Sequence, residues 1–250
     1  MPALHLMSSG VSLPKPGKAV GEDAFYISQH SVGVADGVGG WAKHGVDSGA
    51  YARSLMRGAR EHAWSSRDPQ QLLTHAYTTS QHIPGSSTAC IVAIDRDNLL
   101  RGSVVGDCGY LVVRGDHTVY QSSPQLHDFN TPYQLGACCN TPHQSVHHEV
   151  AVRPGDLVVL ASDGIFDNVT AHEIRHELRS GSTADMARRL SRAAYFHSIH
   201  PTRDGPFARQ AREAGRHFRG GKQDDITVVV SRVSLGASTP SARRAPAAPP

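Results

Sequence analysis

The sequence predicts an α+β fold in which antiparallel strands are covered by helices, and three observations carry that reading. Short apolar runs recur through the first half, separated by turn dipeptides such as Asp97-Asn98, Gly106-Asp107 and Gly115-Asp116. Helical periodicities come in separate blocks and do not alternate with single strands. The chain then returns to a strand near its end. A doubly wound parallel sheet would alternate strand and helix throughout, so that class is set aside.

Strands are expected over 24–29, 31–35, 87–95, 99–106, 109–114 and 117–122, the last four as an antiparallel meander. Between them Asp47 is placed to cap a helix that carries Ala52, Met56, Ala59 and Ala63 along one face. A second helix, over about 69–81, follows Pro69, which is tolerated in a first turn because its missing N–H would be unpaired there anyway. Further strands are expected over 146–152, 157–162 and 225–233. Thr170 and Glu173 have the spacing of a capping box, and Ser182 precedes a helix burying Met186, Leu190 and Ala194. One domain is expected over 1–235, followed by a proline-rich disordered tail over 236–250.

Hydrophobic residues at 39% and charged residues at 19% are ordinary globular values. No apolar run is long enough to span a bilayer. The N-terminus lacks a basic region followed by an apolar one, so no secretory signal is expected. The formal charge is only +3, and the arginines between Arg175 and Arg219 read as solvated helix faces, so nucleic acid is not an expected partner. Cys90, Cys108, Cys138 and Cys139 fit neither a disulfide framework nor a CxxC metal site, and read as reduced thiols.

The chemistry lies in the aspartates. Asp36 ends the run SVGVA and Asp163 ends LVVLAS, each followed by glycine. Asp107 stands at a turn after GSVVG, Asp224 and Asp225 precede ITVVV, and Glu22-Asp23 precede AFYIS. One Asp-Gly after a strand is an ordinary turn. Several carboxylates delivered by strand ends into one cleft would repel each other unless hard cations neutralise them. Oxygen-only ligands suit Mg²⁺ or Mn²⁺. Two such ions, roughly 3.5–4 Å apart, generate hydroxide for attack on phosphorus. Gly37, having no side chain, allows its carbonyl to face a metal.

The runs GEDAFY (21–26), VADGVGGW (34–41), GDCGYLVVR (106–114), LASDGIFDN (160–168) and GGKQDDITVVV (220–230) resemble, in order, the motifs of the metal-dependent protein phosphatases, the PPM or type-2C family. VADGVGGW and FNTPYQLG (129–136) resemble its mitochondrial and plastid branch. The resemblance implies a four-layer αββα sandwich of two antiparallel sheets flanked by helices. It also implies Mn²⁺- or Mg²⁺-dependent hydrolysis of phosphoserine and phosphothreonine in proteins, with two ions and a weaker third. By the same resemblance Asp36 is the bridging ligand beside the Gly37 carbonyl, Asp163 and Asp224 complete the first metal site, and these three aspartates are the catalytic set. Asp224 is preferred to Asp225 by its spacing to Ile226. Glu22 and Asp23 act through bound waters, and Asp107 joins Asp163 at the third site. The expected partner is a phosphoprotein substrate met by a monomer, in a mitochondrion or plastid.

Two positions depart from the family pattern. Where many members carry a histidine taken as general acid, this chain has Val38, leaving His44, His127 or a bound water to protonate the leaving group. The phosphate-binding arginine is replaced by Lys18, which supplies charge but no bidentate fork. A short segment, 131–146, stands where relatives carry a longer flap. These departures motivate a rival reading as an inactive binding module. A second rival is the HExxH match His172–His176, a zinc-peptidase pattern, although Glu173 is better used in the capping box. His147 and His148 are neighbours on a strand and so point to opposite faces, away from any shared metal.

Overall fold

A computed structural model describes residues 3–137 and 139–236. Cys138 and the expected tail beyond Gly236, with Arg243 and Arg244, lie outside the described residues. Among the described residues there are thirteen strands: β1 (Leu4–Leu13), β2 (Ala24–Ile27), β3 (Ser31–Gly37), β4 (Ser86–Ile94), β5 (Leu99–Val105), β6 (Gly109–Arg114), β7 (His117–Gln121), β8 (Leu126–Asp128), β9 (Thr131–Pro132), β10 (Leu135–Gly136), β11 (Val146–Ala151), β12 (Leu157–Ala161) and β13 (Ile226–Leu235). Six α-helices accompany them, besides two short 3-10 turns: α1 (Ser48–His62), α2 (Pro69–Ser80), α3 (Asp163–Phe166), α4 (Ala171–Glu177), α5 (Thr183–Ser198) and α6 (Pro206–Glu213).

One sheet has the order β1-β13-β12-β6-β7 and the other β11-β5-β4-β3-β2, with β10 paired to β4; all these pairings are antiparallel. The two sheets pack face to face. Val34, Val92 and Val104 from one interleave with Val112, Leu160 and Val229 from the other. The opposite faces are covered by helices. Leu55, Met56, Leu72 and Leu73 of α1 and α2 pack over Ala35, Ala89 and Ile91, while Ile174, Met186, Leu190 and Ala194 pack over Val159 and Val228. Burying each large aliphatic side chain contributes about 1.5–3 kcal/mol. This is the four-layer αββα sandwich that the family resemblance implies. It also explains the uninterrupted run LVVLA: Val158 and Leu160 point between the sheets, and Leu157, Val159 and Ala161 point to the helices, so both faces are buried.

The expected meander is corrected. β4 and β5 form a hairpin in one sheet and β6 and β7 form a hairpin in the other, so the chain crosses between sheets at Gly106–Cys108. Gly106 makes the crossing with φ +89°, and a Cβ there would collide with the Tyr133 carbonyl and Thr88. Cys108 therefore lies at the crossing and not inside a strand, while Cys90 is in β4. β1 is not anticipated by the sequence, because Ser8-Ser9-Gly10 reads locally as a loop. Pairing along its whole length with β13, from Leu4↔Leu235 to Leu13↔Ile226, makes it a strand.

The caps behave as expected. Asp47 accepts the Gly49 N–H at 3.0 Å, and Thr170 and Ser182 both open capping boxes. His148 turns toward Tyr120, with ring centroids 5.1 Å apart, while His147 is exposed and hydrogen-bonds Ser145 at 3.2 Å. No helix of the described residues is long and apolar enough to cross a membrane.

Candidate metal centre

The antiparallel register brings the acidic strand ends together. In one sheet Leu13 pairs with Ile226, and Ala161 faces both Val228 and Gly109, so Asp224, Asp163 and Asp107 leave the sheet at the same end. In the other, Ala24 pairs with Ala35 and Gly37 with Ser87, so Asp23 and Asp36 leave at one end too. Between these ends lies a cleft of about 440 Å³, lined by Glu22, Asp36, Gly37, Asp107, Asp163 and Asp224. Lys15, Lys18, Val38, Asn130, Gln134 and Lys222 complete its walls.

Each carboxylate is held by a different element. Asp36 ends β3, where its carbonyl accepts the Ser87 hydroxyl at 2.7 Å. Gly37 is tightly enclosed, because a Cβ would strike the backbone carbonyls of Ser48 and Glu22. Asp23 is buried under the sheet ends, accepts the Ser162 hydroxyl at 2.8 Å and keeps Oδ1 without a partner. Asp163 opens α3 directly after β12, and its buried Oδ1 also lacks a partner. Asp225 does not line the cleft; it accepts the backbone N–H groups of Lys15 and Glu22, at 2.5 and 2.6 Å, which fastens the loop between β1 and β2. Asp224, and not Asp225, is thus the member of the pair that lines the cleft.

Two residues of the acidic cluster escape the sequence reading. Asp167 lies one helical turn after Asp163, a spacing from which it could have been found. The Lys222 ammonium hydrogen-bonds Asp163, reaches Asp167 Oδ2 at 2.7 Å and stands 3.6 Å from Asp224 Oδ2. Asn168 holds that lysine: its Oδ1 accepts the Lys222 N–H at 3.0 Å and its Nδ2 donates to the Lys222 carbonyl at 2.9 Å. Lys18, expected at the phosphate, pairs with Glu22 at 2.8 Å on the cleft rim. Neither His44 nor His127 lines the cleft; His127 stacks on Tyr133 with centroids 3.9 Å apart.

One internal ammonium does not neutralise the cluster. Burial first, then the charges of Asp23, Asp163 and Asp224, pushes Asp36 well above the usual carboxylate range. Asp23 rises to about 7, mainly through burial, against the hydroxyl bonds of Ser162 and Thr227 and with added repulsion from Asp225 and Asp163. Burial followed by the charges of Asp163 and Asp167 takes Asp107 to about 8. Asp167 rises to about 7 by burial despite Lys222, and Asp224 is raised by burial and Asp163. Like charges in a low-dielectric cleft favour protons or added cations.

The donor set fits hard divalent ions. The side-chain donors are all oxygen, and two buried carboxylate oxygens have no protein partner. Among the described residues no three Asp, Glu, His or Cys side chains converge on one point. The zinc reading of His172–His176 finds no support. Both histidines are exposed, and Glu173 accepts the Thr170 N–H at 2.8 Å and the Arg203 guanidinium at 2.5 Å.

Comparisons with known proteins agree with this fold. The family model described as "Stage II sporulation protein E (SpoIIE)" matches residues 28–234. The chain is 40% identical to "Probable protein phosphatase 2C 55" of Arabidopsis thaliana, over 92% of this chain and 52% of that one. It is 39% identical to "Protein phosphatase PTC7 homolog fig" of Drosophila virilis, over 86% of this chain and 79% of that one. The chain therefore spans about half the length of the Arabidopsis relative and about four fifths of the Drosophila one. Among solved structures, the photosystem II phosphatase PBCP superposes with a TM-score of 0.86 at 33% identity, over 92% of this chain and 99% of that one. The catalytic domain of the phosphatase PstP, solved with 2 manganese ions, matches in fold at a TM-score of 0.70 and 18% identity, over 93% of this chain and 100% of that one. The chain belongs to the metal-dependent protein phosphatases, the PPM or type-2C family.

Proposed function

We propose that this chain is a Mn²⁺- or Mg²⁺-dependent protein serine/threonine phosphatase, and that the acidic cleft is its active site. The observation that carries the reading is the convergence of Asp36, Asp107, Asp163 and Asp224 on one cleft, where burial and mutual repulsion leave them short of positive charge. The names of the phosphatase relatives support it. When bound, two such ions supply a low-pKa water and offset charge on the phosphoryl oxygens.

Asp36 and the Gly37 carbonyl, at the end of β3, would hold the ions from one sheet, and Asp163 and Asp224 would hold them from the other. Glu22, Asp23 and Asp107 would orient the surrounding waters. Lys18 lies on the cleft rim and draws the phosphate dianion by charge, while its pairing with Glu22 keeps it over the cleft. Val38 presents an aliphatic side chain to the cleft, so no imidazole delivers the proton to the leaving oxygen.

The partner in this reading is a phosphoprotein. A mitochondrial or plastid setting is part of the proposal, supported by the likeness to the photosystem II phosphatase. The test is hydrolysis of p-nitrophenyl phosphate and a phosphothreonine peptide with EDTA, Mg²⁺ and Mn²⁺ in parallel. Activity restored by either ion, and lost in the Asp163→Asn protein, is expected. Silence under every metal in folded protein would reassign the chain as a binding module.

A further inference from the structure

A second cavity, of about 200 Å³, opens beside the acidic cleft and has no part in the chemistry above. Asp107, Asn130 and Asp163 line both spaces, so the two adjoin. Beyond those shared residues the lining is mixed: Asp167, Gln121 and Ser122 are among its polar groups, and one apolar wall is formed by Leu126, Phe129, Phe166, Ile174 and Phe207. These side chains come from the β8–β9 hairpin and from α3, α4 and α6, elements far apart in sequence.

The wall made by the hairpin is fastened in place. The Phe129 and Phe207 rings lie 5.2 Å apart, and Phe218 meets Phe207 edge-on at 4.7 Å. The Arg216 guanidinium sits 5.6 Å from the Phe129 centroid and 3.5 Å from Asp128. Leu126 nevertheless remains 38% exposed. A concavity that combines aromatic and aliphatic side chains with a few polar groups, here Gln121, Ser122, Asp167 and Gln210, has the composition of a ligand site.

We infer that this cavity is a specificity pocket that takes an apolar side chain flanking the phosphoserine or phosphothreonine of the substrate. The inference rests on the phosphatase reading above. Adjacency to the cleft selects this occupant, because a phosphate held among the aspartates brings its own polypeptide past the shared residues Asp107, Asn130 and Asp163. An extended segment offers side chains every ~3.3 Å on alternating faces, so a near neighbour of the phosphorylated residue comes within reach. Asp167, which also lines the cavity, disfavours an acidic neighbour, and the apolar wall offers a charged head no partner.

The test is a set of phosphothreonine peptides in which Leu, Ala or Asp is walked through the positions on either side of the phosphorylated residue. kcat/KM is compared with the rate on p-nitrophenyl phosphate, which has no flanking residue. At one position Leu is expected to exceed Ala by on the order of 10-fold, the discrimination an apolar pocket achieves per small group, with Asp slowest. Ala171→Phe, which fills the pocket from its rim, and Leu126→Asp, at an exposed position, should each erase that preference. Both should leave p-nitrophenyl phosphate hydrolysis unchanged, which also shows that they fold. A flat profile at every position overturns the pocket while leaving the phosphatase intact. So does a Leu preference that survives both variants. Failure of the metal-loaded wild type to hydrolyse p-nitrophenyl phosphate overturns the phosphatase reading, and the pocket with it.

Discussion

Two acidic regions of this molecule stand a short way apart in sequence and behave in opposite ways. At the N-terminus of α4, Glu173 accepts bonds from Thr170 and Arg203, and its pKa falls to about 2, with burial opposing and the Arg203 and Thr170 bonds prevailing. In the cleft, Asp23, Asp107 and Asp167 are buried among one another and rise to about 7, 8 and 7. Both regions contain a motif that resembles a metal site. Only the one whose carboxylates lack enough protein donors has a use for a metal. A fully satisfied carboxylate caps a helix; an unsatisfied cluster awaits cations.

The largest expected effect tests the cleft directly. Asp163→Asn should cut kcat by on the order of 10³-fold or more, the loss expected when several kcal/mol of metal-supplied charge stabilisation disappears. Circular dichroism should show the fold retained. Near-normal turnover would remove the cleft from the chemistry.

Next comes the pH dependence of the metal-free protein. Asp23, Asp107 and Asp167 have folded pKa values above the unfolded one. Their contribution to stability is therefore full below about 4 and is lost as pH rises through about 7–8. In EDTA, Tm should drop by about 5 °C or more between pH 5 and 8.5, and saturating Mn²⁺ should flatten that slope. Glu173 has the opposite sign: its stabilisation holds above the unfolded value and fades as pH falls toward about 2. A metal-free Tm that rises between pH 5 and 8.5 would break the contrast.

A smaller effect sharpens the other side. Thr170→Ala removes the α4 cap and should cost ~1 kcal/mol, or about 2–4 °C in Tm, with kcat unchanged. The smallest is His176→Ala, a surface change expected to stay within about 0.5 kcal/mol in stability and to leave activity and its metal response unaltered. A zinc-dependent loss in that variant would revive the peptidase reading of α4.

The acidic strand ends were legible because each aspartate follows or precedes an apolar run that can only be a buried strand, and the five motifs stand in one order. Asp167 was legible in principle, from its helical spacing to Asp163. Lys222 was not, because nothing local says that a lysine after Gly220-Gly221 will turn inward. Its place depends on Asn168, 54 residues earlier. The assignment of Asp224 to the cleft and Asp225 to the loop between β1 and β2 shows the same limit. Adjacent aspartates are chemically alike, and only the N–H groups of Lys15 and Glu22 separate their roles.

By itself the sequence determined the periods, the caps and the carboxylate count, because those depend on neighbours within a few residues. Tertiary structure decided that β4–β5 and β6–β7 belong to different sheets, that Ser8-Ser9-Gly10 is strand, and that an apolar pocket opens beside the acidic cleft. Each of these is set by packing between segments far apart in the chain, where pairing and burial outweigh local preference.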